Sequence, residues 1–251
     1  MSDMVKSILV LFVAIIVVHL VYIGFVRPEA DLLLETARQA GQTAPRDIVI
    51  VLKDYEQEIC FILMLWGGYL ILSKCRTILR NNYLFTVDLI EVPEEEAFVA
   101  ESVIEKLDSE LSADRISAPL IRTLRSALWR YAGTRNVQNL SDAIESSVEA
   151  LAVQQEAENS MIRYLIWAIP SIGFIGTVRG IGDALSLADQ ALAGDIAGMT
   201  NSLGVAFNST LVALLISIFL MFLFHQLQRL QDGQLVDIQG YCDRYLLARI
   251  K

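Results

Sequence analysis

Four long apolar blocks constrain the fold of this chain more than any other feature. Of its 251 residues 54% are hydrophobic, and these are gathered into blocks at 7–26, 59–72, about 164–183 and 203–224. A helix needs roughly 20 apolar residues to cross the hydrocarbon core of a bilayer, so the first, third and fourth blocks are long enough. The second is shorter and needs local bilayer thinning or snorkelling of flanks such as Glu58 and Lys74. The sequence therefore predicts an all-α, polytopic membrane protein with four transmembrane helices.

The lysines and arginines predict the orientation of these helices, because cytoplasmic flanks carry more of both. Lys74, Arg76 and Arg80 follow the second block, and four more basic residues lie in the tail after the fourth. The loop 184–199 has neither lysine nor arginine. We therefore expect this loop outside and both termini in the cytoplasm. The first block is expected to be retained, because no small-x-small cleavage site follows it.

Two of the predicted transmembrane helices extend into the cytoplasm. No helix breaker lies between Ser141 and Ile169, so the third is predicted to continue from the cytoplasm as one helix, and the fourth to run on at least as far as Gly233. The predicted parts are an N-terminal transmembrane hairpin (1–73) with an outer segment (27–58), a helical cytoplasmic region (74–160), a transmembrane pair (161–225) with an outer loop (184–199), and a cytoplasmic helical tail (226–251).

Three glycines of the third block are predicted to form a close helix contact. At about 100° per residue, Gly173, Gly176 and Gly180 fall within an arc of about 60°, and the last two form a small-xxx-small pair. Such pairs let membrane helices approach closely. Gly204 in the fourth block is assigned to helix packing as well.

Hydroxyl residues lie at matching depth in the third and fourth blocks. With about 1.5 Å per residue, Thr177 lies about 20 Å from the cytoplasmic edge and Thr210 about 10 Å from the outer edge. In a core about 30 Å thick these are the same level. Ser217 lies two turns below Thr210 on the same face, so the three could form a hydroxyl track, while Asn208 faces elsewhere. Alternatively, each hydroxyl bonds the carbonyl four residues earlier in its own helix.

Charged residues are scarce inside the blocks. No Asp or Glu lies in the middle of any of them, and Asp183, at the outer end of the third block, follows Arg179 by four residues. A proton or cation path through a membrane generally needs a titratable stop, so a partner would have to supply the carboxylate. His19 lies inside the first block and is either a helix contact or a proton-handling residue.

Composition and motifs exclude several functions. A net charge of −9 without a basic patch argues against binding to nucleic acid. The three cysteines, Cys60, Cys75 and Cys242, lack metal-ligand spacing. The chain has no phosphate loop, nucleophile elbow or His/Cys/Asp cluster. We therefore expect no enzyme activity, no catalytic residue, no metal and no cofactor.

Two segments resemble those of a known family. Ile169-Pro-Ser-Ile-Gly-Phe-Ile-Gly-Thr-Val-Arg-Gly-Ile181 closely resembles the P-x-x-G-x-x-G-T-V-x-G-I signature of the MotA/TolQ/ExbB family, and Ala206-Phe-Asn-Ser-Thr-Leu-Val-Ala-Leu214 is similar to its A-x-x-x-T-x-x-G-L segment. The resemblance implies an inner-membrane stator unit, assembled as a homopentamer around a dimer of a single-span MotB/TolR/ExbD-like partner. In such complexes a membrane aspartate of the partner takes up and releases the ion.

The resemblance also assigns residues. The pore threonines of the family match Thr177 and Thr210. The chain departs from the family at Arg179, where many members carry a bulky aromatic or aliphatic residue, at Ala213 in place of a glycine, and at Asn208. Arg179 either pairs with Asp183 or hinders cations at the outer mouth. The implied function is a pore-forming subunit of a proton-motive-force-driven motor; the alternative is a non-conducting membrane scaffold with the same fold.

Overall fold

The computed structural model describes residues 3–40, 47–90, 99–110 and 113–250, and these form helices joined by short turns, with no strand among them. The helices are α1 (Asp3–Val21), α2 (Arg27–Gln39), α3 (Ile48–Leu52), α4 (Tyr55–Asn81), α5 (Ala100–Glu110), α6 (Ala113–Ile116), α7 (Pro119–Thr134), α8 (Val137–Ser186), α9 (Ala188–Leu192) and α10 (Ala197–Tyr241), with π turns at Tyr22–Val26 and Cys242–Leu246 and 3-10 turns at Asn82–Thr86 and Leu247–Arg249. Parts of the predicted outer segment (41–46) and of the predicted cytoplasmic region (91–98 and 111–112) lie outside the described residues.

Four helical stretches are long and apolar enough to cross a membrane, which confirms the predicted fold class. They are Met4–Ala37, Tyr55–Thr86, Val137–Ser186 and Ala197–Arg249. The first continues through the π turn into α2 and so extends past the apolar block that ends at residue 26. The helices α8 and α10 are long, with 50 and 45 residues, and α8 continues through Pro170, which lies inside it.

The helix α4 is longer than its apolar block. It begins at Tyr55 and runs for 27 residues, so its first turn takes in Glu56, Gln57 and Glu58, which the sequence placed in the outer segment. All three side chains are buried. Polar residues can be buried in this way only when partners satisfy them, and each has a partner on another segment. The partners, rather than apolar character, extend the helix.

The chain divides into two compact units: one is Met1–Leu72 with Met161–His225, and the other is Ser73–Ser160 with Gln226–Lys251. The second unit has a hydrophobic core to which α5, α7 and the C-terminal segment contribute. In α7, Pro119 starts the helix, and Leu120, Leu124 and Leu128 are almost fully buried at four-residue spacing. This helix ends at Arg135, whose φ of 50° lies in the left-handed region.

Polar contacts fix the C-terminal segment within the second unit. The Tyr241 hydroxyl donates to the Val87 carbonyl at 2.9 Å and accepts from the Leu89 amide at 2.8 Å. Arg249 forms a bidentate pair with Asp88, with Nη1 to Oδ1 at 2.9 Å, and donates to the Ile90 carbonyl at 2.7 Å. Because Arg249 stabilises the carboxylate, the pKa of Asp88 lies below its ordinary value.

The parts of α8 and α10 that belong to the second unit contact each other through buried amides. Asn159 and Gln231 exchange hydrogen bonds of 2.7 and 3.4 Å, and Gln155 donates to Gln234 at 3.1 Å. Asn159 is 2% exposed and Gln231 5%. A satisfied amide pair in such a position is a known means of specifying the register of two helices.

Candidate functional site

The glycine arc of α8 packs directly against α10, within the first unit. A Cβ built on Gly176 would lie 2.5 Å from the Ser209 Cβ, and one on Gly180 would lie 2.7 Å from the Ala206 amide nitrogen. A Cβ on Gly173 would meet Ala213 and Thr210 of α10. Only glycine fits at these three positions without moving a helix. The structure therefore supplies a steric reason for each glycine of the predicted arc.

Gly204 is not part of this close contact. A Cβ built there meets no described atom within 4 Å. Within one chain, therefore, no packing reason requires glycine at this position. Asn208, four residues further along α10, is half-buried.

The glycine contact brings Thr177 and Thr210 together. Their hydroxyl oxygens contact each other, the Thr177 hydroxyl lies 3.0 Å from the Ala206 carbonyl oxygen, and the Thr210 hydroxyl lies 3.2 Å from the Gly173 carbonyl oxygen. Each hydroxyl thus contacts a backbone carbonyl of the opposite helix, namely the one four residues before the other threonine. The bond from Thr177 to its own i−4 carbonyl, on Gly173, is longer at 3.4 Å. The within-helix alternative is therefore the weaker contact.

The threonine pair retains hydrogen-bonding capacity toward groups outside the chain. Each hydroxyl carries one proton and two lone pairs, so contacts with two carbonyls and with each other leave lone pairs free. Both residues are half-buried rather than enclosed. The pair can therefore accept a bond from water, a hydrated ion or a side chain of another subunit.

The structure gives Ser217 a different partner from the predicted track. Its hydroxyl is buried and donates to the Ile166 carbonyl across the helix contact at 3.0 Å. Pro170, four residues after Ile166, lies inside α8 and has no N–H to offer that carbonyl. Ser217 therefore satisfies the acceptor that the proline leaves without its usual donor. This contact keeps α8 continuous through its proline.

Arg179 has a partner that the sequence did not identify. Its Nε and Nη2 donate to the two carboxylate oxygens of Glu56 at 2.8 and 2.9 Å. The predicted partner, Asp183, lies 3.7 Å from Nη1, and Asp54 lies 3.9 Å from Nη2. The bidentate pair with Glu56 is the dominant contact, because two aligned charge-assisted bonds are stronger than longer single contacts.

The rest of the first turn of α4 is also held by polar contacts. Gln57 is fully buried; its amide nitrogen donates to the Val51 carbonyl at 3.0 Å and to the Ser209 hydroxyl at 3.4 Å. Glu58 pairs with Arg27 and with the Nδ1 of His19, the latter at 2.6 Å. The structure therefore gives His19 a contact on α4, and its side chain remains 51% exposed.

Glu56 and Glu58 belong to the same compact unit as the threonine pair, which the apolar blocks alone did not indicate. The apolar block starts at Ile59, so hydropathy alone assigns Glu56 and Glu58 to the preceding outer segment. One feature of the sequence is consistent with a place for these acids in α4. They lie where its first turn begins, and the positive end of the helix dipole favours acids there. Nothing in the sequence alone indicates that they face Arg179 and His19.

The described residues contain no group of three or more His, Cys, Asp and Glu side chains that could hold a metal ion. The three cysteines are free thiols.

Comparison with protein-family models identifies the family of the chain. The model of the MotA/TolQ/ExbB proton channel family matches residues 112–239, about half of the chain, including α7, α8 and most of α10. Comparisons with curated proteins and with solved structures found no significant match.

Proposed function

Because the chain belongs to the MotA/TolQ/ExbB proton channel family, we propose that it is the pore-forming subunit of an ion-driven stator or energiser complex. The observation that carries the proposal is the contact of Thr177 with Thr210 across the glycine-packed helices α8 and α10. The hydroxyls retain lone pairs and belong to residues that are half-buried rather than enclosed. Hydroxyls so arranged can replace water around a passing proton carrier or cation.

The proposed complex has several copies of this chain and a second component. We infer a homopentamer around a dimer of a single-span partner, whose membrane aspartate exchanges the ion beside the threonine pair. An external carboxylate is needed because the carboxylates of the first turn of α4 are already bonded to Arg179, Arg27 and His19. The proposed location is the bacterial inner membrane, with both termini and the parts 74–160 and 226–251 in the cytoplasm and the loop 184–199 outside.

The test is the replacement of both pore threonines by valine, which keeps their shape and removes the hydroxyls. The complex is purified from its native membrane and reconstituted into phosphatidylethanolamine–phosphatidylglycerol liposomes that contain a pH-sensitive dye. We expect Thr177→Val/Thr210→Val to assemble and to lose most of its proton flux. The control, Thr200→Val, removes a hydroxyl that makes a local bond, to the Ile196 carbonyl four residues earlier. It is expected to conduct normally.

The alternative is a non-conducting scaffold, in which the threonine pair only ties α8 to α10. It is favoured by the contacts of both hydroxyls with backbone carbonyls of the opposite helix. Full flux or full motor-dependent activity in the double valine variant would contradict the pore proposal and favour the scaffold.

A further inference from the structure

Arg179 places a positive charge close to the proposed ion path. It follows Thr177 by two residues, a rise of about 3 Å along α8. At about 100° per residue the two side chains leave the helix on opposite sides of the glycine arc. The guanidinium of Arg179 and the hydroxyl of Thr177 are therefore separated by one helix diameter, about 10 Å. An unpaired charge at that distance, at an effective dielectric constant of about 20, changes the occupancy of a cation about tenfold.

The charge of Arg179 is not unpaired in this structure. Glu56 accepts two hydrogen bonds from it, and the Glu56 side chain is only 10% exposed, whereas the Asp183 side chain is 59% exposed. Solvent screens the exposed pair far more than the enclosed one. Glu56 is therefore the main counter-ion of Arg179, and Asp54, which lies 3.9 Å from the guanidinium without a hydrogen bond, is a weaker second one.

The fold holds Glu56 in place from two directions. A Cβ on Gly176 would lie 3.1 Å from the Glu56 Cγ, so the glycine beside Thr177 also leaves room for this carboxylate. The neighbouring Gln57 donates to Ser209, the residue before Thr210. The first turn of α4 is thus fixed against the same stretch of α8 and α10 that carries the threonine pair, on the other side of the glycine arc.

We propose that Glu56 is the counter-ion that makes Arg179 compatible with cation conduction, and that this pair determines the ease with which cations reach the threonine pair. The inference rests on the proposed function. Without Glu56, the guanidinium repels the conducted cation. Without Arg179, the carboxylate attracts it, and without both, no charge acts on it. A purely structural ion pair behaves differently, because losing either partner or both removes the same contact.

The experiment measures proton flux for Glu56→Gln, Arg179→Gln and the double variant, in the purified complex reconstituted as above, with the yield and thermal stability of each complex recorded. We expect Glu56→Gln to reduce flux about tenfold, Arg179→Gln to conduct at or above the wild-type rate, and the double variant to regain wild-type flux. Asp183→Asn, which removes the exposed partner, is the matched control and is expected to conduct normally.

Two results would overturn the inference. One is a loss of flux in Arg179→Gln or in the double variant while these complexes assemble in normal yield. These two variants keep the inference testable even if the Glu56→Gln complex fails to assemble. The other is normal flux in Glu56→Gln. The threonine variants separate this inference from the proposed function: if the double valine variant loses flux while the Glu56 series does not change it, only the role of Glu56 is refuted.

Discussion

Gly180→Ala tests whether the glycine arc sets the spacing of α8 and α10. The new Cβ would lie 2.7 Å from the Ala206 amide nitrogen, 2.8 Å from the Ser202 carbonyl oxygen and 2.9 Å from the Ala206 Cα. All three atoms belong to backbone, so no flexible side chain can move aside. Since non-bonded heavy atoms prefer a separation of about 3.5–4.0 Å, the helices must separate locally by several tenths of an ångström to about 1 Å.

The expected loss of stability follows from a comparison of Gly180→Ala with a second glycine variant in the same helix. Overpacking a close contact costs about 1–3 kcal/mol, whereas alanine improves on glycine inside a helix by about 1 kcal/mol. Gly182→Ala makes the same chemical change two residues away, where a Cβ meets no described atom within 4 Å. The helix-propensity term is common to both variants, so we expect Gly180→Ala to be less stable than Gly182→Ala by about 1–3 kcal/mol.

The assay is reversible unfolding in mixed micelles titrated with sodium dodecyl sulfate, followed by far-ultraviolet circular dichroism. Gly68→Ala, on α4, is a second control, since a Cβ there also meets no described atom within 4 Å. If Gly180→Ala unfolds at the same detergent fraction as the two controls, α8 and α10 are not in close contact at this level. The contact between Thr177 and Thr210 would then not form, because it depends on the close approach of these two helices.

Three further predictions concern other parts of the chain. Ser217→Ala should cost about 1–2 kcal/mol by leaving a buried carbonyl without a donor, and should cost much less in a Pro170→Ala background; equal costs in a double-mutant cycle would refute the pairing. The depressed pKa of Asp88 means that its pair with Arg249 stabilises the fold above the ordinary carboxyl pKa and that this contribution is lost as the pH falls through the lower folded value. Asp88→Asn should therefore lower the free energy of unfolding at pH 7 by up to about 1 kcal/mol and by progressively less as the pH falls below the ordinary carboxyl pKa, and a deficit that does not shrink on acidification would contradict this. A reporter fused after the last residue should be cytoplasmic and one inserted at Gln190 external, and the reverse at either site would overturn the topology.

The contact between α8 and α10 was largely predictable from the sequence, because helical periodicity alone aligns its parts. The arc of Gly173, Gly176 and Gly180 and the matching depth of Thr177 and Thr210 use only the rise and rotation per residue. The sequence could not supply the register between the two helices, since register depends on which side chains meet.

The role of Ser217 depended on that register. Once Gly173 is known to face Thr210, counting two turns along each antiparallel helix brings Ile166 opposite Ser217. The proline four residues after Ile166 then explains the bond. Without the register, the same serine looked like a third member of a hydroxyl track.

The buried acids of α4 were not predictable from hydropathy. Glu56 and Glu58 lie at the edge of a short apolar block, and their burial depends on Arg179, 123 residues away, and on His19, 39 residues away. Burial of a charge follows from its partner rather than from its neighbours in sequence. For the same reason the apolar block at 59–72 did not indicate that α4 begins at Tyr55.

The central claim, that Thr177 and Thr210 border a water-filled path, is tested most directly by the accessibility of a thiol at position 210. In a chain with Cys75 and Cys242 replaced by alanine, Thr210→Cys is exposed to a positively charged, membrane-impermeant methanethiosulfonate reagent while proton flux is recorded. Cys60, which is fully buried, serves as the internal control. We expect the reagent to modify the thiol at position 210, with loss of flux, and to leave Cys60 unmodified. An unreactive thiol at position 210, in a complex that conducts, would contradict it.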